Sequence, residues 1–167
     1  LRATNRSNAQ QRLALRAASN GRYGERLDAA LTIEELAGTL RNKPLQLTGA
    51  ARVAGDVYTL EALTLRAGDA RLQAAGRVDE QWQLAWQLAA PDLADLLPNA
   101  SGLVSASGRL SGTRRQPTVN AQFSARSLAW HGDRAAALDG TIELDLADHV
   151  DSRVMLQADG LRARGPD

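Results

Sequence analysis

The residues that could take part in chemistry are few, and most of them lie close together near the end of the chain. The two histidines are His131 and His149, and His149 stands among Asp145, Asp148 and Asp151. Carboxylates beside an imidazole can bind a divalent cation, but hard-cation sites need about six positioned oxygen ligands. We interpret this segment as a solvated acidic turn, and we predict no metal site and no cofactor.

Composition excludes several functional classes. The chain has no cysteine, which rules out disulfides, thiolate zinc sites and cysteine nucleophiles. No nucleophile elbow, phosphate-binding loop or dinucleotide fingerprint occurs in the sequence. Twenty Lys and Arg balance nineteen Asp and Glu, for a formal charge of +1, and Lys43 is the only lysine. Such a balance does not favour nucleic-acid binding, and we predict that the protein is not an enzyme.

The residues with the most regular spacing are apolar. Trp82, Leu84, Trp86 and Leu88 alternate with polar or small residues, which places them on one side of a β-strand. Such a surface either lines a groove for a lipid or a precursor strand, or belongs to an ordinary β-sheet core. The other candidate groove residues, chosen by the same alternation, are Val104, Leu110, Val119, Phe123, Ile142, Leu144 and Leu156.

Alternation of period two continues through the whole chain and predicts an all-β protein. Further alternating segments are 13–17, 27–33, 45–53, 70–78 and 154–160. Turn-forming pairs separate the segments and predict an antiparallel meander of hairpins with one polar face and one apolar face. These turns are predicted at Gly55-Asp56, Gly68-Asp69, Asp79-Glu80, Gly112-Thr113, Gly132-Asp133 and 148–151.

One or two very short helices are expected in addition. Residues 91–97 begin with a proline and an aspartate and are followed by Pro98, a pattern typical of one or two helical turns. Residues 34–40 favour a second short turn. Trp130, beside His131 and Gly132, is expected at a rim or at a hairpin tip.

Small residues are frequent among the positions predicted to face inward. A β-sandwich needs bulky side chains to fill about 10 Å between its sheets, whereas small residues predict open space on the apolar face. We therefore expect an elongated antiparallel sheet that curls into a trough with an apolar concave face. These small residues are Gly49, Ala51, Ala70, Ala74, Gly76, Gly102, Ala106, Gly108, Ala121, Ala125, Gly140 and Ala158.

A loose repeat supports a modular sheet. The pattern apolar-x-small-x-x-Leu begins at Leu88, at Phe123 and at Leu156, with a looser copy at Leu31. Such repeats are typical of elongated proteins in which neighbouring units bury each other's faces. Chance matching in a chain rich in alanine and leucine is the alternative.

The order of features in the second half of the chain resembles a known family. A short acidic turn with Leu-Pro precedes a glycine-containing strand, a Gly-Thr turn, a strand that begins with proline, and Ala-x-x-Leu. This order resembles the C-terminal region of TamB-type proteins, and residues 36–45 are similar to the wider AsmA-like group; the resemblance extends from about Leu27 to the end. The residues that carry it are Asp92 to Gly102, Ala106 to Thr113, Pro117 to Val119 and Ala125 to Leu128.

The resemblance implies a β-taco, a sheet curled lengthwise around an apolar trough. It also implies a periplasmic location in a Gram-negative bacterium, with the parent protein anchored in the inner membrane. The partners it implies are the outer-membrane barrel protein TamA and either phospholipid or unfolded outer-membrane protein strands. Because the chain begins at Leu1 without a methionine, we expect residues 1–167 to form a single β-taco segment of a larger periplasm-spanning protein.

The expected function is a hydrophobic groove for phospholipid transport between the two membranes, for outer-membrane protein assembly, or for both. One alternative is pairing of an open sheet edge with a nascent barrel strand, without lipid carriage. A β-solenoid adhesin segment is another. A transmembrane barrel is less favoured, because aromatic residues are only 4% of the chain and such barrels need aromatic girdles.

Overall fold

The structure is a computed structural model that describes residues 2–5, 13–23, 27–40, 43–146 and 152–162. This part of the chain forms one antiparallel sheet of eleven strands, in which each strand pairs with the next along the chain. The all-β sheet predicted from the alternation, and the open and curled form predicted from the small inward residues, are confirmed. The strands are β1 (Arg2–Asn5), β2 (Leu13–Tyr23), β3 (Leu27–Leu40), β4 (Lys43–Ala54), β5 (Val57–Ala67), β6 (Ala70–Val78), β7 (Trp82–Ala90), β8 (Ala100–Gly112), β9 (Pro117–Trp130), β10 (Asp133–Asp145) and β11 (Arg153–Asp159).

Tight turns join several neighbouring strands at the predicted places. Gly55 and Gly68 each have a φ of 59°, and this left-handed conformation is what two-residue hairpin turns require. At the β9–β10 hairpin, His131 and Gly132 also have positive φ. Trp130 lies at that hairpin tip, as predicted, 56% exposed and edge-to-face with the His131 ring at 5.0 Å. The predicted turn at 148–151 lies outside the described residues.

The connection between β7 and β8, residues 91–99, is longer than these turns. It contains a single 3₁₀ turn, Leu93–Asp95, where a short helix was predicted. The side chain of Asp92 caps this turn by accepting a hydrogen bond from the backbone N–H of Ala94 at 3.0 Å.

The second predicted helical turn, at residues 34–40, is wrong because these residues belong to β3. Ile33 pairs with Gly49 and Leu36 pairs with Leu47, so β3 has one residue more than β4 between the two pairs. This β-bulge keeps Ile33 and Leu36 on the same face. The bulge therefore produces the three-residue apolar spacing that imitates a helix in the sequence.

The sheet is a single layer. Among the described residues, no large side chain is fully buried, whereas a sandwich or a globular core would bury several. The buried apolar residues of this part of the chain are Ala67, Ala70, Ala90, Ala100, Ala125 and Ala135.

The sequence repeat matches the sheet geometry. Leu88, Phe123 and Leu156 lie in one row across the sheet, because Leu88 pairs with Ala106, Ala106 with Phe123, Phe123 with Gly140 and Gly140 with Leu156. Each repeat therefore adds two strands to the sheet and places its first residue in the same cross-strand row. The looser copy at Leu31 lies in a different row, because Leu31 pairs with Ala51.

A candidate apolar groove

The two faces of the sheet differ in chemistry. We call the side that carries Leu84, Trp86 and Leu88 the apolar face, and the side that carries Gln83 and Gln87 the polar face. Along β7, the apolar-face residues are half-buried and the polar-face residues are exposed. The same alternation of half-buried and exposed residues occurs along β6. The exposure pattern therefore follows the sequence alternation.

All eleven predicted groove residues lie on the apolar face, in rows that cross the strands. Trp82 stands opposite Val78 on β6, and Val104 stands opposite Ala90 on β7. The longer rows are Leu84, Leu110, Val119 and Leu144; Trp86, Gly108, Ala121 and Ile142; and Leu88, Ala106, Phe123, Gly140 and Leu156.

Glycines on this face are covered by large side chains from neighbouring strands. A Cβ atom added at Gly108 would lie 2.7 Å from the Trp86 ring, and one at Gly140 would lie 2.6 Å from the Phe123 ring. Each ring therefore lies across the glycine of the adjacent strand, an arrangement that fills the gap a glycine leaves in a sheet. The prediction that small residues leave open space is wrong at these two positions.

Two depressions lie against the polar face, where the sequence predicted none. Their volumes are 830 and 700 Å³. They share a row of amide and hydroxyl side chains, consisting of Gln73, Gln87, Ser107, Gln122 and Thr141. Residue alternation assigns side chains to a face but does not specify where depressions form on it.

Two side-chain contacts on the polar face join residues of neighbouring strands. Gln122 Nε2 donates to Ser107 Oγ at 3.2 Å, and Arg126 Nη1 donates to both carboxylate oxygens of Asp139 at 3.0 Å. The hydrogen bonds from Arg126 and Ser124 lower the pKa of the Asp139 carboxyl below its ordinary value. In the described ranges, no three His, Cys, Asp or Glu side chains come together as a metal site would require. Three members of the acidic cluster, Asp148, His149 and Asp151, lie outside those ranges.

An ion pair between a buried carboxylate and a half-exposed lysine, which sequence reasoning missed, lies at one end of the strands. The side chain of Asp95 is only 2% exposed, and its Oδ1 lies 2.8 Å from Lys43 Nζ. Its Oδ2 accepts a hydrogen bond from the backbone N–H of Asp69 at 2.7 Å. Gly68 makes room for the carboxylate, since a Cβ there would lie 2.6 Å from it. We call these contacts of Asp95 with Lys43 and the Gly68-Asp69 turn the latch.

The latch shifts the pKa values of both Asp95 and Lys43. The hydrogen bond from Lys43, followed by the one from the Asp69 backbone, lowers the pKa of the Asp95 carboxyl. The same hydrogen bond raises the pKa of the Lys43 ammonium group. No local sequence signal identifies this pair, because Lys43 and Asp95 are far apart in the chain.

Arg114 makes a second long-range contact at the opposite ends of the strands. Its guanidinium group lies over the Tyr58 ring, 5.6 Å from the centroid, and donates to the carbonyl oxygen of Asp56. Its backbone N–H donates to the Glu80 carbonyl at 3.1 Å.

Among the described side chains, Trp82 carries the one buried polar atom without a hydrogen-bond partner, its Nε1.

These features define a class of protein: an open, single-layer antiparallel sheet with continuous apolar rows on one face. Within the described ranges, no helix has the length and apolar character that a membrane crossing requires. The sequence matches the family described as TamB, N-terminal domain, over residues 5–165. The chain therefore belongs to the TamB family. No curated protein and no solved structure gives a match.

The family match confirms one expectation and corrects another. Membership in the TamB family is as expected, but the matching region is the N-terminal domain, whereas the sequence order suggested the C-terminal region. Members of this family are components of the translocation and assembly module, work with TamA and are not known as enzymes. Membership gives the chain a TamB-related role in assembly of the cell envelope.

Proposed function

We propose that the apolar face is a hydrophobic groove that carries phospholipid between the inner and outer membranes, assists outer-membrane protein assembly, or does both. The observation that supports this proposal best is the set of unbroken apolar rows, from Leu84 to Leu144 and from Leu88 to Leu156, on a single-layer sheet. Apolar surface in water costs about 25 cal/mol per Å². A phospholipid acyl chain or an apolar strand that covers these rows would relieve that cost.

The geometry favours movement along the groove over tight binding at one place. Adjacent strands of a sheet are spaced by about 4.8 Å, so eleven strands give a track of about 50 Å. An acyl chain spans about half of a ~30 Å hydrocarbon core. Several acyl chains therefore fit in line, and the similar chemistry of each row gives none of them a unique site.

Membership in the TamB family supports a cellular setting for this proposal. We place the groove in the periplasm of a Gram-negative bacterium, within a parent protein anchored in the inner membrane. In this proposal residues 1–167 form one β-taco segment of a larger protein that works with TamA at the outer membrane. The cargo would be phospholipid or unfolded outer-membrane protein strands.

Native mass spectrometry with lipid extraction, on protein purified without detergent, tests the groove. We expect phospholipid to co-purify, and Leu84→Arg to remove it because a charge would interrupt the row from Leu84 to Leu144. The matched control is Gln122→Ala on the polar face, which should retain the lipid. Loss of lipid in both variants, or its retention in both, would count against a groove on the apolar face.

Strand addition at the sheet edge is the second candidate function. β11 is the last strand of the sheet that the described residues form, and it exposes Val154 by 55%, Met155 by 54% and Leu156 by 63%. The outer backbone groups of an edge strand can pair with an incoming strand of matching alternation. A nascent outer-membrane barrel strand has this alternation.

Two variants separate the candidates, with a synthetic barrel-strand peptide as the probe. Met155→Lys places a charge on the edge and leaves the apolar rows intact, whereas Leu84→Arg does the reverse. If strand addition is the function, Met155→Lys should weaken peptide binding and Leu84→Arg should not. The opposite pattern would favour the groove.

A further inference from the structure

Alanines on the apolar face fall into two groups that differ in burial. Ala67, Ala70 and Ala90, at one end of β5, β6 and β7, are 5%, 2% and 0% exposed. Ala74 and Ala121 occupy the middle of the same face and are only half-buried. Ala74 has Leu63 and Trp86 as its cross-strand neighbours, so large neighbours within the sheet do not bury an alanine completely. Ala125, which Val104 connects to Ala90 in one row, is also only 2% exposed, so this row is covered more completely than the middle of the face.

The β7–β8 connection is the element in position to cover the three end alanines. It begins directly after Ala90, and two of its side chains, Leu93 and Leu96, are half-buried. Its Asp95 contacts the Gly68-Asp69 turn, which joins Ala67 to Ala70. The connection therefore runs back over the ends of β6 and β5 before it reaches β8.

This path is a detour. β8 lies on the other side of β7 from β6, so a direct hairpin turn would lead away from β5 and β6. The connection uses nine residues, 91–99, where two residues are enough for a hairpin. The contact that holds the detour in place is the latch, in which Asp95 is buried against Lys43 of β4.

We infer that residues 91–99 form a strap that closes the apolar face along one end of β5–β7, and that the latch holds this strap shut. Release of Asp95 from Lys43 and from the Gly68-Asp69 turn opens the strap and exposes the end alanines. In the closed state an occupant of the groove cannot enter or leave past these strand ends. This consequence rests on the proposed groove function: the strap sets whether cargo can pass these strand ends.

Thiol labelling tests the strap directly, because the chain has no cysteine of its own. Ala90→Cys places a thiol beneath the strap, and Ala121→Cys places one in the middle of the same face. We expect maleimide to react with Ala90→Cys at least tenfold more slowly than with Ala121→Cys. Adding Asp95→Asn should raise the rate at Ala90→Cys at least tenfold and leave the rate at Ala121→Cys unchanged.

Three results would overturn the inference. Equal labelling of the two cysteines in the otherwise unchanged protein would mean that nothing covers Ala90. An unchanged rate at Ala90→Cys with Asp95→Asn would mean that the latch does not hold the strap. A parallel rise at both positions, with Asp95→Asn and with the milder Lys43→Gln, would mean that the latch supports the whole sheet. The readout needs neither lipid nor precursor, so its result is independent of the proposed groove function.

Discussion

The centre of the sheet, β4–β8, and its C-terminal edge, β10–β11, have the same alternating pattern but differ in how they are held. In the centre, connections reach back across several strands: Asp95 contacts Lys43 at one end and Arg114 contacts Tyr58 at the other. At the edge, Leu156 and Leu161 are 63% and 69% exposed. The number of neighbouring strands and the reach of the connections together account for the difference.

Two leucines of one row illustrate the point. Leu88 and Leu156 belong to equivalent copies of the repeat and lie in the same row across the sheet. Leu88 is half-buried, whereas Leu156 is mostly exposed. Position within the repeat fixes the face and the height of a residue, and the number of neighbouring strands and connections fixes its burial.

The largest expected effect comes from a glycine in the centre. Gly76 has a φ of 153°, and a Cβ there would lie 2.1 Å from the backbone oxygen of Gln83. Overpacking costs about 1–3 kcal/mol, and a clash with backbone lies at the upper end of that range. We expect Gly76→Ala to lower the free energy of unfolding by about 3 kcal/mol or to prevent folding, as measured by urea denaturation.

Gly160, just after β11, provides the matched control at the edge. Its φ is 63°, and an added Cβ would lie 2.8 Å from the Cβ of Ala136, while the nearest backbone atom, Ala136 N, would be 3.5 Å away. The left-handed conformation costs a residue with a side chain about 1–2 kcal/mol, and the edge can shift to relieve the contact. If Gly160→Ala lowered the free energy of unfolding as much as Gly76→Ala, the result would contradict the contrast between centre and edge.

The latch predicts a pH dependence of stability in the centre. Because the pKa of Asp95 is lowered in the folded state, its contribution is present above about pH 4 and is lost as the pH falls through the lowered value. Lys43→Met removes the largest cause of that lowering. We therefore expect the acid unfolding midpoint of Lys43→Met, followed by circular dichroism, to move to higher pH.

Arg52→Met is the control for the latch variant. Arg52 pairs with Glu61 at 3.0 Å, but the two side chains are 63% and 44% exposed, and exposed pairs contribute little. Its acid unfolding midpoint should stay close to that of the unchanged protein. Equal shifts of the acid unfolding midpoint in the two variants would mean that the buried position of Asp95 does not increase the contribution of its ion pair to stability.

The smallest expected effect is at the edge. Met155 is 54% exposed on β11, and exposed substitutions usually change stability by less than about 0.5 kcal/mol. Met155→Lys should leave the unfolding curve unchanged and reduce self-association, because lysine on an edge strand discourages pairing with another sheet. Sedimentation velocity measures the second effect, and Gln122→Lys away from the edge should not reproduce it.

The strands and the faces follow from local sequence. Alternation along Trp82 to Leu88 assigned each side chain to the correct face, and Gly55 and Gly68 marked two of the turns correctly. The same local reasoning failed at Glu34, because a bulge changes the spacing of apolar residues from two to three. A sequence alone does not distinguish that spacing from a helical one.

The latch and the depressions depend on contacts and curvature that no local pattern encodes. Lys43 and Asp95 are far apart in the chain, and only the return path of the β7–β8 connection brings them together. The two polar-face depressions are lined by residues from β5 to β11, so they depend on how distant segments of the chain lie relative to one another. Alternation identifies the residues of each face but leaves the bend of the sheet undetermined.

Site-specific photo-crosslinking in cells tests the central claim, a one-sided apolar groove, most directly. Trp86 and Gln87 are adjacent residues of β7 on opposite faces, one half-buried and the other exposed. A photo-crosslinking residue at Trp86 should capture phospholipid or outer-membrane protein strands, and the same residue at Gln87 should capture neither. Capture at both positions, or at Gln87 alone, would contradict the account.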